Sequence, residues 1–315
     1  MKDKKPRDLT RVEKRHMEAS ASIASEKPEN IAYQHTVLCQ TGLPYRNPGD
    51  EVRVWEREQG NVALRIEAGV YHHPETNQWV ELGLPFGPKV RLILAYLNAE
   101  ALRTRSPKIE VERSLTAFVR RLRGGKGPNG PEIRAFKEQL RRLSSALIRI
   151  STFRDDHTGI TRIDEIDEKI VRGRSLNLWF PKDEQQRVLW PSTIQLSLDY
   201  FISLQEHAVP LNERALAALS HSAMALDIYA WLAQRLHRIP HRKPQFISWA
   251  ALKEQFGADF GRMNNFRSKF RAVMLQVLGC YSKAKVEADY KGLTLRYSPP
   301  PVSARMIVVE KPGNQ

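Results

Sequence analysis

Apolar residues alternate with polar ones early in the chain and recur every third or fourth position later. Two early runs, "HTVLC" (His35 to Cys39) and "VALRIEAGVY" (Val62 to Tyr71), alternate and are expected as strands. Between them "GLPYRNPGD" has the Gly and Pro of an ordered loop. In "GLPFGPKVRLILAYLNAEALR", Pro88 suits a helix start, and Val90, Ile93, Leu94, Leu97 and Leu102 share one side. "IEVERSLTAFVRRLRGG" predicts a short extended lead-in, then a helix with Leu115, Phe118, Val119 and Leu122 inside, stopped by Gly124-Gly125. In "PNGPEIRAFKEQLRRLSSALIRIS" the apolar residues Ile133, Phe136, Leu140, Leu143, Leu147 and Ile150 keep helical spacing, with Arg134, Lys137, Arg141, Arg142 and Arg149 opposite. The stretch after it reads as strands and turns, and its acidic run from Asp155 to Glu168 reads as a solvated loop.

The second half repeats the order. "ALDIYAWLAQRLHRI" predicts a helix with Leu226, Ile228, Tyr229, Leu232 and Leu236 inside. "PQFISWAALKEQFGAD" gives an extended lead-in and a helix stopped at Gly257, and "NNFRSKFRAVMLQVLGCY" a basic amphipathic helix. "KAKVEADYKGLTLRYSP" gives two alternating runs about Lys291-Gly292, a β-hairpin. Each unit thus reads helix, short strand, helix, turn, helix, strands, the order of a winged helix-turn-helix. The expected fold class is α+β, with two tandem winged-helix domains. Their expected bounds are 31–200 (dimerisation or DNA binding) and 201–305 (DNA binding), flanked by a mobile arm at 1–30 and a tail at 306–315.

Charge sharpens this picture. Lys and Arg number 50 against 35 Asp and Glu, a net charge of +15, which calls for a polyanionic partner, nucleic acid before an anionic membrane surface. Two cysteines, Cys39 and Cys280, make no disulfide framework, and no secretory signal or spanning segment is visible, so the expected compartment is cytoplasmic.

The third helix of the second unit carries Arg262, Asn264, Asn265 and Arg267 at its start, where a recognition helix meets base edges. Arg pairs with guanine and Asn with adenine through two coplanar hydrogen bonds. Lys269 and Arg271 are expected on phosphate, with Lys283, Lys285 and Lys291 along the hairpin. Phe266, Phe270, Val273, Val277, Leu278, Trp231 and Trp249 are expected in the core. In the first unit Lys137, Arg141 and Arg142 face away from the apolar stripe, preceded by Arg120, Arg121, Arg123 and Lys126. They form either a second DNA surface or the basic rim of a dimer interface. His72-His73 are adjacent and point to opposite sides of a strand, and His237 with His241 gives too few ligands, so no metal or other cofactor is expected.

The ordered series "TGLPYRNPGD", "GLPFGPKVRLILAYLNAEA", "LSLDYFISLQEHAVPLN", "ALDIYAWLAQRL" and "ISWAALKEQFGADF…FRSKFRAVMLQV" resembles the plasmid-encoded RepA-type replication initiators from about Val37 to Pro301. The resemblance implies tandem winged-helix domains that bind repeated double-stranded sites (iterons) at a plasmid origin. It also implies melting of nearby DNA and recruitment of host replication proteins such as a helicase or a DnaA-type initiator. It further implies a monomer–dimer equilibrium, with dimers repressing the protein's own gene. No catalytic motif carries over, and a non-enzymatic initiator is expected. A winged-helix transcriptional repressor is the alternative. A nicking enzyme would need a metal triad and a tyrosine nucleophile, a set this sequence lacks.

Overall fold

The computed structural model describes residues 21, 23, 31–73, 76–110, 114–155, 161–171 and 193–302. The expected arm (apart from Ala21 and Ile23) and the tail lie outside the described residues. The fold is α+β.

Strand β1 (Ile31–His35) runs into helix α1 (Thr36–Thr41). Two hairpins follow, β2 (Val54–Gln59) with β3 (Val62–Glu67) and β4 (Val70–His73) with β5 (Gln78–Glu81). Next come α2 (Gly87–Thr104), β6 (Lys108–Glu110), α3 (Leu115–Leu122), α4 (Gly130–Ser145), β7 (Leu147–Asp155) and β8 (Thr161–Glu168). Then β9 (Thr193–Gln195), α5 (Leu198–His207), β10 (Ala208–Asn212), α6 (Glu213–Leu219) and α7 (Ala223–Arg235). The last described elements are β11 (Gln245–Ser248), α8 (Trp249–Phe256), α9 (Met263–Cys280), β12 (Lys285–Ala288) and β13 (Gly292–Arg296).

Local chemistry explains most boundaries. Pro88 sits in the first turn of α2. Asn129 and Glu132 form a reciprocal capping box on α4, and Ser114, Ser222 and Ser248 cap α3, α7 and α8. Gly124 and Gly125 end α3 with φ of +64° and +88°.

Three expectations fail. "HTVLC" is not a strand beyond His35: the His35 Nδ1 accepts the Val37 N–H and starts α1, in which Val37, Leu38 and Cys39 are all buried. A short apolar run buried on every side carries no period to tell helix from strand. The helical spacing from Ile133 to Ile150 crosses an element boundary. Helix α4 ends at Ser145, and Ile148 and Ile150 pair as strand residues with Ile66 and Leu64 of β3. The acidic run is largely strand β8, not a loop; Asp167 lies opposite Arg149 and pairs with it at 2.9 Å. Residues 156–160 of that run lie outside the described residues.

The repeated order of elements is present, but the two units build different sheets. In the second, β11 and β12 flank β13 in one three-stranded antiparallel sheet. In the first, β6 pairs with β9, while β7 and β8 extend the β2–β3 hairpin into a four-stranded sheet.

The repeat also begins earlier than its helices. Strands β1 and β10 are each five residues long, share one burial pattern, and lead directly into a helix. They pair antiparallel with Tyr33 opposite Pro210. His35 and Asn212 are equivalent and each caps the helix that follows. This makes a local pseudo-two-fold between the halves, and it joins residues 31–35 to residues 208–212. Helix α5 spans residues 200 and 201, the junction expected between the domains.

The halves also meet through α2 and α7. Arg91 of α2 pairs with Asp227 of α7 at 2.6 Å and 2.8 Å, and both side chains are buried. The guanidinium also donates to the carbonyls of Leu43, Pro44 and Gly87, so most of its donors are satisfied inside the core. Gly42 lies beside the pair at φ +71°; a Cβ there would stand 2.7 Å from the Asp227 Oδ2. Asp227 is pulled two ways: burial raises its carboxyl and the Arg91 charge lowers it, with the net shift upward.

Candidate nucleic-acid interface

Helix α9 places Phe266, Phe270, Val273, Met274, Val277 and Cys280 in the core, with Leu278 partly buried. It packs on α6, α7 and α8. Trp249, the first residue of α8, meets Phe266 and Phe270 edge-on, and Trp231 meets Phe256 likewise. The remaining face holds Arg262, Asn264, Asn265, Ser268, Lys269 and Arg271, all exposed. No acid lies on α9, and its N-terminus has no side-chain cap, so neither Asn serves that role. Free N–H groups and the positive end of the helix dipole add to the local cationic field.

Arg267 and Arg271 sit differently from the rest. Arg267 is half-buried with its guanidinium 5.8 Å above the Trp249 ring, and its Nε is buried with no hydrogen-bond partner among the described residues. Arg271 lies 5.1 Å above the same ring and donates to the Asp289 carbonyl at 2.6 Å. Trp249 Nε1 donates to that carbonyl as well, at 3.0 Å, and the Trp249 N–H donates to the Lys291 carbonyl at 3.1 Å. The β12–β13 turn is therefore fastened to α8 and α9 at several points. Inside the turn, the Asp289 carboxylate accepts the N–H groups of Gly292 and Lys291, which lowers its pKa. A Cβ at Gly292 would stand 2.0 Å from the Ile247 carbonyl, so only glycine lets β13 approach β11 so closely. Lys283, Lys285 and Lys291 are exposed along the hairpin. Tyr290, at its tip, is 74% exposed; sequence reasoning passed over it because a turn tyrosine has no pattern of its own.

The first unit's basic residues are differently placed, and their expected outward orientation fails. Arg142 pairs with Glu138 at 2.8 Å, reaches Asp50, donates to the Leu84 carbonyl and Asn47, and lies over Phe86. Arg141 pairs with Glu138 at 3.5 Å and covers the Tyr71 ring of the β4–β5 hairpin. Lys137 is partly buried, which lowers its pKa, with Arg141 adding to the shift. Arg121 pairs with Glu100, and Arg123 with Glu132. Only Arg120, Lys126 and Arg134 of this group are exposed. The loop at 47–50 and the β4–β5 hairpin thus occupy the face of α4 that corresponds to the open face of α9.

The histidines are engaged with aromatic neighbours, His35 with Tyr200 and His207. His72 contacts Trp79, His73 contacts Tyr71 from the other face of β4, and His241 stacks on Tyr297. Among the described residues, no group of three His, Cys, Asp or Glu is placed to hold a metal ion. No helix of the described residues is long and apolar enough to cross a membrane.

The described residues thus combine an α+β fold, a doubled helix–strand–helix–helix–strand order and an open cationic helix. The family model for the plasmid encoded RepA protein matches residues 84–251, just over half of the chain, and the chain belongs to that family. Among solved structures, domains 2 and 3 of RctB in selenomethionine form are similar with a TM-score of 0.50 and 9% identity, covering 83% of this chain and 98% of that one. A second crystal structure of RctB domains 2–3 gives a TM-score of 0.46 and 9% identity over 82% and 94%. At such identity the likeness bears on the fold alone. No curated protein matches the chain in sequence.

Proposed function

We propose that this protein initiates plasmid replication by binding repeated double-stranded DNA sites at the origin, with α9 in the major groove and the β12–β13 hairpin beside it. Family membership supports DNA as the partner. The observation that carries the reading is the exposed, acid-free face of α9 from Arg262 to Arg271, backed by a rigid aromatic core. An α-helix fits the B-DNA major groove, and its first turns reach base edges. The order β11, α8, α9, β12, β13, with β13 central in its sheet, supports a winged-helix module in the second half. The first half shares the element order without the sheet. Its closed α4 face favours a scaffold or self-association role there over a second recognition helix.

In this reading Asn264, Asn265 and Arg262 approach bases, Lys269, Lys283 and Lys285 contact phosphate, and Arg267 buttresses Trp249. Iteron binding, origin melting, recruitment of host replication proteins, a monomer–dimer equilibrium and a cytoplasmic, non-enzymatic mode of action complete the proposal. Fluorescence anisotropy on a cognate duplex and on random DNA tests it. Asn265→Ala should lower cognate affinity by about 1–3 kcal/mol and leave random-sequence binding unchanged. Equal loss on both, or none, would count against base reading by α9.

A further inference from the structure

We infer that the Asp289–Lys291 turn is a fixed minor-groove probe, in which Tyr290 contacts the DNA beside the segment covered by α9 and Arg271 acts as its positioning residue. The inference rests on the DNA reading of α9 and adds a second groove, a contact residue and a sequence preference. Three observations carry it. First, the turn is anchored: Arg271 and Trp249 converge on the Asp289 carbonyl, Trp249 also holds the Lys291 carbonyl, and the Asp289 carboxylate closes the turn on itself. Second, the anchoring points an aromatic outward. Tyr290 is 74% exposed, and its only ring contact among the described residues is with the Lys291 ammonium, 5.3 Å from the ring centroid. A tyrosine with an apolar ring and a polar tip is costly to leave in water and is suited to a half-wet interface. Third, Lys283, Lys285 and Lys291 keep this edge cationic.

Groove dimensions complete the argument. With α9 filling a major groove about 12 Å wide, a hairpin fastened to its first half meets the phosphate ridge, and its tip reaches the neighbouring minor groove. That groove is about 6 Å wide and admits one ring or one lysine stem, not a helix. There A·T pairs offer only the N3 and O2 acceptors, while G·C adds an obstructing amino group. A·T-rich steps also narrow the groove and deepen its negative potential, favouring Tyr290 hydroxyl donation and the Lys291 charge. The turn should therefore prefer A·T pairs flanking the site.

The test uses full-length protein and a site selected by the wild-type chain from random-sequence duplexes, remade with A·T or G·C flanks. Wild type should favour A·T flanks by about fivefold to tenfold. Tyr290→Ala should abolish that preference. Arg271→Ala should abolish it too, leave the salt slope of binding unchanged, and add less than twofold in the Tyr290→Ala background. Tyr290→Ala that keeps the flank preference, while Lys269→Ala weakens binding, would overturn the inference and spare the reading of α9. A reduced salt slope in Arg271→Ala with additive loss would make Arg271 a phosphate contact and overturn its positioning role. Wild-type binding by both Lys269→Ala and Asn265→Ala would remove the reading of α9, and this inference with it.

Discussion

At the residue scale, two side chains of the same charge and nearly the same position do different work. Lys269 is exposed and has no partner among the described residues, so on the proposed reading its contribution to DNA binding would be a released counterion. Lys269→Ala should weaken binding to all sequences and reduce the slope of log K against log salt by about 1, measured by titration from low to high salt. Arg271, two residues on, is already committed to Trp249 and Asp289. Elsewhere His35 makes the fold sensitive to acid. Burial first, then the neighbouring charge of His207, push its imidazole down to about 3. The unfolded residue takes up a proton near 6.5, so between those values the unfolded state binds more protons and stability falls with falling pH. The loss should approach about 1.4 kcal/mol per pH unit within that window and flatten in His35→Asn, read by urea unfolding at stepped pH.

At the scale of elements, helices were legible where spacing and stop signals agreed, as in the helix that ends at Gly257. Legibility failed where a partner strand decided the outcome. Ile148 and Ile150 continue the helical spacing of α4, yet β3 draws them into the sheet. The basic face of α4 is less exposed than its spacing predicts, for a related reason. Periodicity tells which residues leave the stripe, and cannot tell what else lies over them. Arg142 leaves the stripe and is then covered by the 47–50 loop and the Leu84 carbonyl. Of the α9 residues expected to meet DNA, Arg262, Asn264, Asn265 and Lys269 are exposed, as their spacing predicts. Arg267 is folded back on Trp249, whose role as a hub has no sequence signature. Arg142→Ala should therefore lower stability by about 1–3 kcal/mol in denaturant melts, with affinity for DNA nearly unchanged. A loss of affinity without a loss of stability would return Arg142 to the DNA surface.

At the scale of the molecule, the halves are interlocked. Strand β1 pairs with β10, and Arg91 of α2 is buried against Asp227 of α7. Removing one partner strands the other charge in the core, so Asp227→Ala should cost about 3–5 kcal/mol and loosen both halves together. Hydrogen exchange should show protection lost in α2 and α7 alike; loss confined to α7 would mean that the halves are coupled elsewhere. On the proposed reading, such coupling would let the first half hold the second in one orientation on DNA. The most direct test of the central claim is hydroxyl-radical footprinting on the DNA flanking the gene, with wild type and an Asn265→Ala/Lys269→Ala double variant. The account predicts protected direct repeats spaced about two helical turns apart, lost in the double variant and retained in an Arg134→Ala/Lys126→Ala control. Protection that survives the double variant and vanishes in the control would contradict it.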